Sequence, residues 1–356
     1  QGMLIARIDR LDDSTKRVLQ VAAVIGRTFP RSVLLRVVDD PDSLDASLAQ
    51  LQGAELIRVH DGDSEPQYSF KHMLTQEVVY HSLLSQQRKV YHRRVADALA
   101  RAFWERGDDY AGAGLIAAHY ERAGAWARAL RYLERAGDAA RADFASREAI
   151  DHYTRALQVA AQLPGADVAC QCLSLHQKRG DLLAALGDAA AALRDYEEVV
   201  RRSQLACDQQ AELRALNQIG ALQAEMNGDA QVDTYFQRAL DLALAIGDRV
   251  GAAESLNRLG ESCRRTGRVE EGRLRHRQAL EVAQRLGDRA LMATSLEGLS
   301  QVDLMTGQLH ASLSKIHQVI DLRRRLADRV GLLNALHARA VIGIWSGDFQ
   351  AAADAC

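Results

Sequence analysis

Side chains able to do chemistry are scattered along this chain, and their spacing has to be tested against what each reaction needs. Nucleotide chemistry needs a phosphate cradle, yet no Gly-x-x-x-x-Gly-Lys-Ser/Thr occurs in the 356 residues. Ala111-Gly112-Ala113-Gly114 follows Asp108-Asp109 without a preceding strand, so it reads as a loop. Asp61-Gly62-Asp63 lacks the remaining ligands of a calcium loop and reads as a turn. None of the eleven histidines begins the His-Glu-x-x-His pattern of a zinc hydrolase. Cys170-Gln171-Cys172 offers two thiols, but no second pair completes a metal site, and five cysteines fit buried small apolar residues in a reducing cytoplasm. No nucleophile, base and orienting group come together, so the chain reads as a recognition module without a catalytic site.

Charge offers one further candidate. Arg264, Arg265, Arg268, Arg273, Arg275 and Arg277 cluster in sequence, and such a patch can bind an acidic peptide, a phosphate or nucleic acid. Glu261, Glu270 and Glu271 are interspersed, which is the pattern of a solvated mixed surface. Lys71 and His72 stand at a strand-to-helix junction, where a ring could reach out of the fold; a histidine there is ordinarily a surface or capping residue.

The elements that position these groups are set by a repeat of 40 residues. It appears as Asp208, Asp248, Asp288 and Asp328, and again as the small residues Gly180, Gly220, Gly260, Ser300 and Ala340. Leu216, Leu256, Leu296 and Leu336 keep the same register. A fixed period of this length means stacked units, each unable to bury its apolar face alone. Each unit reads as two helices. Leu256, Leu259 and Cys263 line the first of one unit, Thr266-Gly267 stops it, and Gly272, His276, Ala279 and Leu280 form the stripe of the second. Gly267, Gly307 and Gly347 recur at the inner turn, where a helix end favours the left-handed conformation. A glycine inside a helix costs about 1 kcal/mol relative to alanine. Gly180, Gly220 and Gly260 therefore imply a partner helix too close to admit a side chain.

The first hundred residues follow another pattern. A helix fragment, Leu4 to Leu11, precedes a helix capped by Asp12 or Asp13, carrying Val18, Leu19, Ala22, Ala23 and Ile25 and ending at Gly26. Pro30 opens a second helix with Val33, Leu34 and Val37 inward, and Pro41 a third through Leu44, Leu48 and Leu51. The period then changes to two over residues 56–60 and 67–72, around a turn at Asp61-Gly62-Asp63. Three helices and a hairpin make a winged helix. Its third helix carries Asp42 and Asp45 and no basic residue, and the wing adds Asp61, Asp63 and Glu65 against Arg58, so phosphate repulsion argues against direct DNA binding. Two helices follow, Leu74 to Leu84 and Gln87 to Trp104, the second with Val90, Val95, Leu99 and Phe103 inward.

The repeat positions Leu216, Ile219-Gly220, Val232, Phe236 and Ala239, and then Leu256, Leu259-Gly260, Gly272, His276 and Ala279, resemble the tetratricopeptide repeat. Tyr68-x-Phe70-x-His72-x-Leu74-x-x-Glu77-x-x-Tyr80-x-x-Leu83, with Ala22-Ala23-Val24-Ile25-Gly26-Arg27-x-Phe29 upstream, is similar to a larger family. It resembles the winged-helix and repeat region that follows the nucleotide-binding domain in bacterial signal-transduction ATPases with numerous domains, such as those linked to adenylate/guanylate cyclases and related transcriptional regulators. That resemblance implies a mainly α fold: a winged helix at 1–104, linking hairpins at 105–171 and a right-handed α-solenoid of repeats at 172–356. It also implies an arm that binds a protein or peptide on its repeat surface, coupled to ATP or ADP on an upstream nucleotide-binding domain. In such switches a histidine just after the wing touches the β-phosphate. The matching residue is His72, with Lys71 beside it, although its neighbours Lys71 and Met73 depart from the Met-His-Asp form. A stand-alone repeat scaffold, or part of a DNA-binding regulator whose DNA-binding domain lies outside this chain, are the alternatives.

Composition fits such a module. Apolar residues at 47% exclude a disordered chain, and a net charge of −2 gives no global attraction to nucleic acid or anionic membrane. No apolar run reaches ~18 residues, so no membrane span is expected. The start at Gln1 and the end at Cys356, midway through a repeat, read as those of a fragment.

Overall fold

The structure is a computed structural model and describes residues 7–60, 66–105, 112–226 and 231–346. Contacts divide the chain into two compact units, Gln1–Arg179 and Gly180–Cys356.

The first unit opens with α1 (Asp13–Ile25), which Asp12 caps by accepting from the Thr15 amide at 2.9 Å. Gly26 ends it, with φ 146°. There follow β1 (Thr28–Pro30), α2 (Arg31–Val37), α3 (Leu44–Gly53), β2 (Ile57–His60) and β3 (Gln67–Phe70). The three strands form one antiparallel sheet in the order β1-β3-β2. β1 was not expected from sequence. It is three residues long and ends in a proline that cannot donate to a ladder, so it survives only at the sheet edge, held by the fully buried Phe29 against Tyr68 and Phe70. The expected turn at Asp61-Gly62-Asp63, with Glu65, lies outside the described residues.

Next come α4 (Met73–Ser82) and α5 (Ser85–Glu105). Val95 and Leu99 are buried as expected, but Val90 is 43% exposed. The inward position two residues on belongs to His92, which hydrogen-bonds Tyr80 Oη at 3.0 Å and His119 Nδ1 at 2.9 Å. Four helices complete this part: α6 (Ala113–Arg122), α7 (Trp126–Ala142), α8 (Ser146–Ala160) and α9 (Ala166–Ala185). Asp97 on α5 accepts from Tyr120 at 2.6 Å and from Arg128 at 2.5 Å. These polar links tie α5 to the first hairpin, and the first compact unit runs to Arg179.

The second unit continues with α10 (Ala189–Ala206), α11 (Gln209–Met226), α12 (Val232–Ile246), α13 (Arg249–Arg265), α14 (Val269–Leu286), α15 (Arg289–Met305), α16 (Leu309–Arg325) and α17 (Arg329–Ser346). The recurring aspartates are helix caps. Asp208, Asp248, Asp288 and Asp328 accept from the amides of Ala211, Gly251, Leu291 and Gly331 at 2.9–3.0 Å, which satisfies donors that a helix start leaves orphaned. The preceding residue is left-handed in each unit, whether it is Gly247 and Gly287 or, at φ 55° and 53°, Cys207 and Ala327.

The recurring glycines make room for a ring sixteen residues later. A Cβ at Gly180, Gly220 or Gly260 would lie 2.9, 2.6 or 2.7 Å from an atom of Tyr196, Phe236 or His276. The backbones themselves come close at Gly272, whose Cβ would meet the Gly260 carbonyl at 2.9 Å. One repeat later the same crossing is made by Ser300 and Ser312, whose hydroxyls lie 2.9 Å apart. Cys172 and Cys263 are buried, whereas Cys170 and Cys207 are exposed, contrary to an all-buried reading. Among the described residues no helix is long and apolar enough to cross a membrane.

Candidate functional site

Stacking of the first helices of successive units, α11, α13 and α15, leaves a groove of about 610 Å³ in the second unit. Its lining repeats with the chain: Arg214, Glu254 and Thr294 occupy one register, and Asn217, Asn257 and Glu297 another. The buried asparagines fasten neighbouring helices together. Asn217 Nδ2 donates to Ser255 Oγ and Asn257 Nδ2 to Ser295 Oγ, each at 3.0 Å. Such paired buried amides fix register, because a slipped stack would leave them unsatisfied. Asn257 Oδ1 also faces His276 Nδ1 at 3.1 Å.

The groove is polar and partly desolvated. Burial raises the Glu254 carboxyl above its ordinary value, Asp248 adds to the rise, and Arg258 and Arg214 oppose it. Burial also raises Glu297, against the pull of Arg323. His276 is pushed down to about 4 by burial, so its ring is neutral at physiological pH. The sequence carries a signal for this site in the polar residues repeated 40 apart on the first helices, Asn217 and Asn257 above all, but spacing alone does not show that they share a groove with His276 and Glu297.

The arginine cluster expected from sequence does not form a free cationic patch. Arg264 makes a bidentate pair with Glu261, and Arg268 pairs with Asp233 and Glu271. Arg265 donates to the Ala224 carbonyl at 2.8 Å, and Arg275 lies 3.7 Å from Glu271. Arg273 is buried against Asp303, with Thr306 3.0 Å away, while Lys315 holds the other Asp303 oxygen at 2.5 Å. Arg277 alone of the six is exposed without such an anchor. The helical period places acids three or four residues from Arg264, Arg268, Arg273 and Arg275, and stacking adds Asp233 to Arg268 and Asp303 to Arg273.

In the first unit, His72 is the exposed residue that starts α4, and its side chain makes no capping hydrogen bond. Lys71 Nζ donates to Glu55 Oε2 at 2.8 Å. Among the described residues no cluster of three histidine, cysteine or acidic side chains could hold a metal ion.

Residues 251–325, which span α13 to α16, match the tetratricopeptide repeat family. This part of the chain is a tetratricopeptide repeat region. An uncharacterised protein of Rhizobium meliloti (strain 1021) is 28% identical over 209 residues, 56% of this chain. The match covers 20% of that protein, so the chain spans only a fraction of the relative's length. Among solved structures, it is similar to a signal transduction ATPase with numerous domains that carries a tetratricopeptide repeat sensor, from Pyrococcus horikoshii, with a TM-score of 0.50 and 14% identity over 98% of this chain and 56% of that one. It is also similar to the Rap conjugation gene regulator of the plasmid pLS20, solved in complex with the Phr* peptide, with a TM-score of 0.54 and 13% identity over 96% and 82% of the two chains. At these identities the likeness is one of fold: mainly helical, with stacked tetratricopeptide repeats.

Proposed function

We propose that this chain is the sensor arm of a nucleotide-switched signalling protein, in which the repeat groove binds a peptide or protein segment. The observation that carries the reading is the groove formed by α11, α13 and α15. It is long enough to cross three stacked helices, polar, partly desolvated, and built on a register that buried amides hold rigid. A rigid concave surface of this kind loses little entropy on binding an extended segment. The regulator solved with the Phr* peptide supports the same use of a related fold.

The first unit supports the switching half of the proposal. We read the order α1-β1-α2-α3-β2-β3 with its three-stranded sheet as a winged helix, and the exposed His72 lies two residues past its last strand. In the parent protein, ATP or ADP would sit on an upstream nucleotide-binding domain, with His72 meeting the diphosphate. Lys71 would have to exchange Glu55 for phosphate, a modest cost for a surface ion pair. An adenylate/guanylate cyclase or other output domain would read the state of the arm. Arg31 pairs with Asp45 on α3 at 2.8 Å, which leaves that helix acidic or neutral and supports the absence of direct DNA contact.

The test is selection of binders from a random peptide display library on the whole chain and on a Thr294→Trp variant, which fills the groove at an exposed lining position. Enrichment on the wild type that disappears on the variant supports the reading. Equal enrichment on both places binding elsewhere and overturns it.

A further inference from the structure

One polar atom in the groove wall is left unsatisfied, and the surrounding hydrogen bonds determine what it needs. Ser295 gives its hydroxyl proton to the Leu291 carbonyl at 2.9 Å, so its oxygen accepts from Asn257 Nδ2. Asn257 therefore turns Oδ1 toward His276, and Nδ1 of that ring must carry the proton. The ring is neutral, so Nε2 bears a lone pair. It has no hydrogen-bond partner, although His276 is only 2% exposed. His276 lines the groove together with Gly298, and glycines at 260 and 298 put no side chain over the ring.

The groove's carboxylates ask for the same kind of ligand. Glu297 lines the same groove, on the stretch of α15 whose Gly298 meets this histidine. Its nearest cation, Arg323, is 3.6 Å away and is already bound to Asp328 at 2.8 Å. Glu261, by contrast, is covered by the bidentate Arg264, and Asp288 is committed to capping α15. Arg214 and Arg258 stand with α11 and α13 and repel a cation there, which leaves the α15 side as the place where one fits.

We propose that the groove selects a peptide segment by a lysine or arginine side chain, whose N–H donors meet Glu297 and the free lone pair of His276 Nε2. A donor-rich cation satisfies both acceptors at once, and neither an acidic nor an apolar side chain does. The proposal rests on the reading of the groove as a peptide site and adds the class of residue it recognises.

The probe is the same random peptide library, selected on the wild type, on Glu297→Gln and on His276→Phe. The last is compatible with the fold because Phe236 fills the equivalent position over Gly220. Groove-dependent binders should share one lysine or arginine. A synthetic binder should lose roughly ten- to a hundredfold in affinity on Glu297→Gln, and about tenfold on His276→Phe. Replacing its basic residue by methionine should cost as much on the wild type and little further on Glu297→Gln. Groove-dependent binders with no basic residue in common, or an affinity indifferent to Glu297→Gln, would overturn the inference while leaving the groove a peptide site. A library that yields no groove-dependent binder removes that reading and this inference with it. Thermal melts of each variant show that the fold survives.

Discussion

Gly260→Ala adds a single methyl group to this protein, and its cost can be worked from the geometry. The new Cβ would stand 2.7 Å from His276 Nε2 and 2.8 Å from two ring carbons, well inside van der Waals contact. The ring cannot swing away, because Gly298 faces it from the next repeat and a Cβ there would overlap it as well. Overpacking of this kind costs about 1–3 kcal/mol. Alanine recovers about 1 kcal/mol of helix propensity. Since the ring is confined on both sides the upper part of that range, about 2–3 kcal/mol, should apply, with a net loss of about 1–2 kcal/mol. With a urea dependence of about 2 kcal/mol per molar, the unfolding midpoint should fall by roughly 0.5–1 M. His276→Ala should remove the penalty, so the double variant should be more stable than the sum of the two single losses implies. An unchanged or higher midpoint for Gly260→Ala, or strict additivity in the cycle, would refute the claim that this glycine exists to admit the ring.

Other perturbations probe separate parts of the fold. Asp303→Ala strands the buried Arg273 and should cost about 3–5 kcal/mol, seen as a large drop in urea midpoint; a loss under 1 kcal/mol would show that the network contributes little. Asp288→Ala should cost about 1 kcal/mol by freeing the Ala290 and Leu291 amides, measured by thermal melting with Asp241→Ala as an exposed control that caps no helix. Stability should fall as pH drops from about 6.5 toward 4. Burial holds His92 at about 3 and His119 and His276 at about 4, so over that range the unfolded chain takes up protons that the fold refuses, at up to about 1.4 kcal/mol per pH unit for each ring. His276→Phe should flatten that dependence, and urea midpoints at pH 7 and 5 that do not differ would contradict it. In a parent protein carrying an upstream nucleotide-binding domain, His72→Ala should speed ADP release roughly ten- to a hundredfold. An unchanged off-rate returns His72 to the role of an exposed helix-start residue.

The repeat was legible because its signals are local. Asp248 and Asp288 cap helices with carboxylates that accept from amides three residues on, and Gly267 and Gly307 adopt the left-handed turn that sequence reasoning assigns to helix ends. The 40-residue spacing of Gly220 and Gly260 pointed to close contact, but the identity of the intruder, a ring sixteen residues on, depends on how two helices cross. Features fixed by distant partners were missed. β1 exists because Phe29 packs against Tyr68 and Phe70 of β3, which lies some forty residues away in sequence. Val90 was assigned inward from its period, yet the true inward residue is His92, whose two ring nitrogens are met by Tyr80 and by a second histidine on α6. Among the arginines from 264 to 277, the interspersed glutamates were legible as partners, but the distant acids of Arg268 and Arg273, Asp233 and Asp303, lie thirty or more residues away and were not. The groove was legible only in the 40-residue spacing of Asn217 and Asn257, since these residues, His276 and Glu297 belong to four different helices.

Hydrogen exchange of the whole chain, with and without a selected peptide, tests most directly whether the stacked repeats bind their partner in this groove. Binding there should slow exchange in α11, α13 and α15 around residues 214–218, 254–261 and 294–301, leave α1 to α3 unchanged, and lose its effect in Thr294→Trp. Protection confined to the first unit, or to the arginine-rich turn at 264–268, would contradict it.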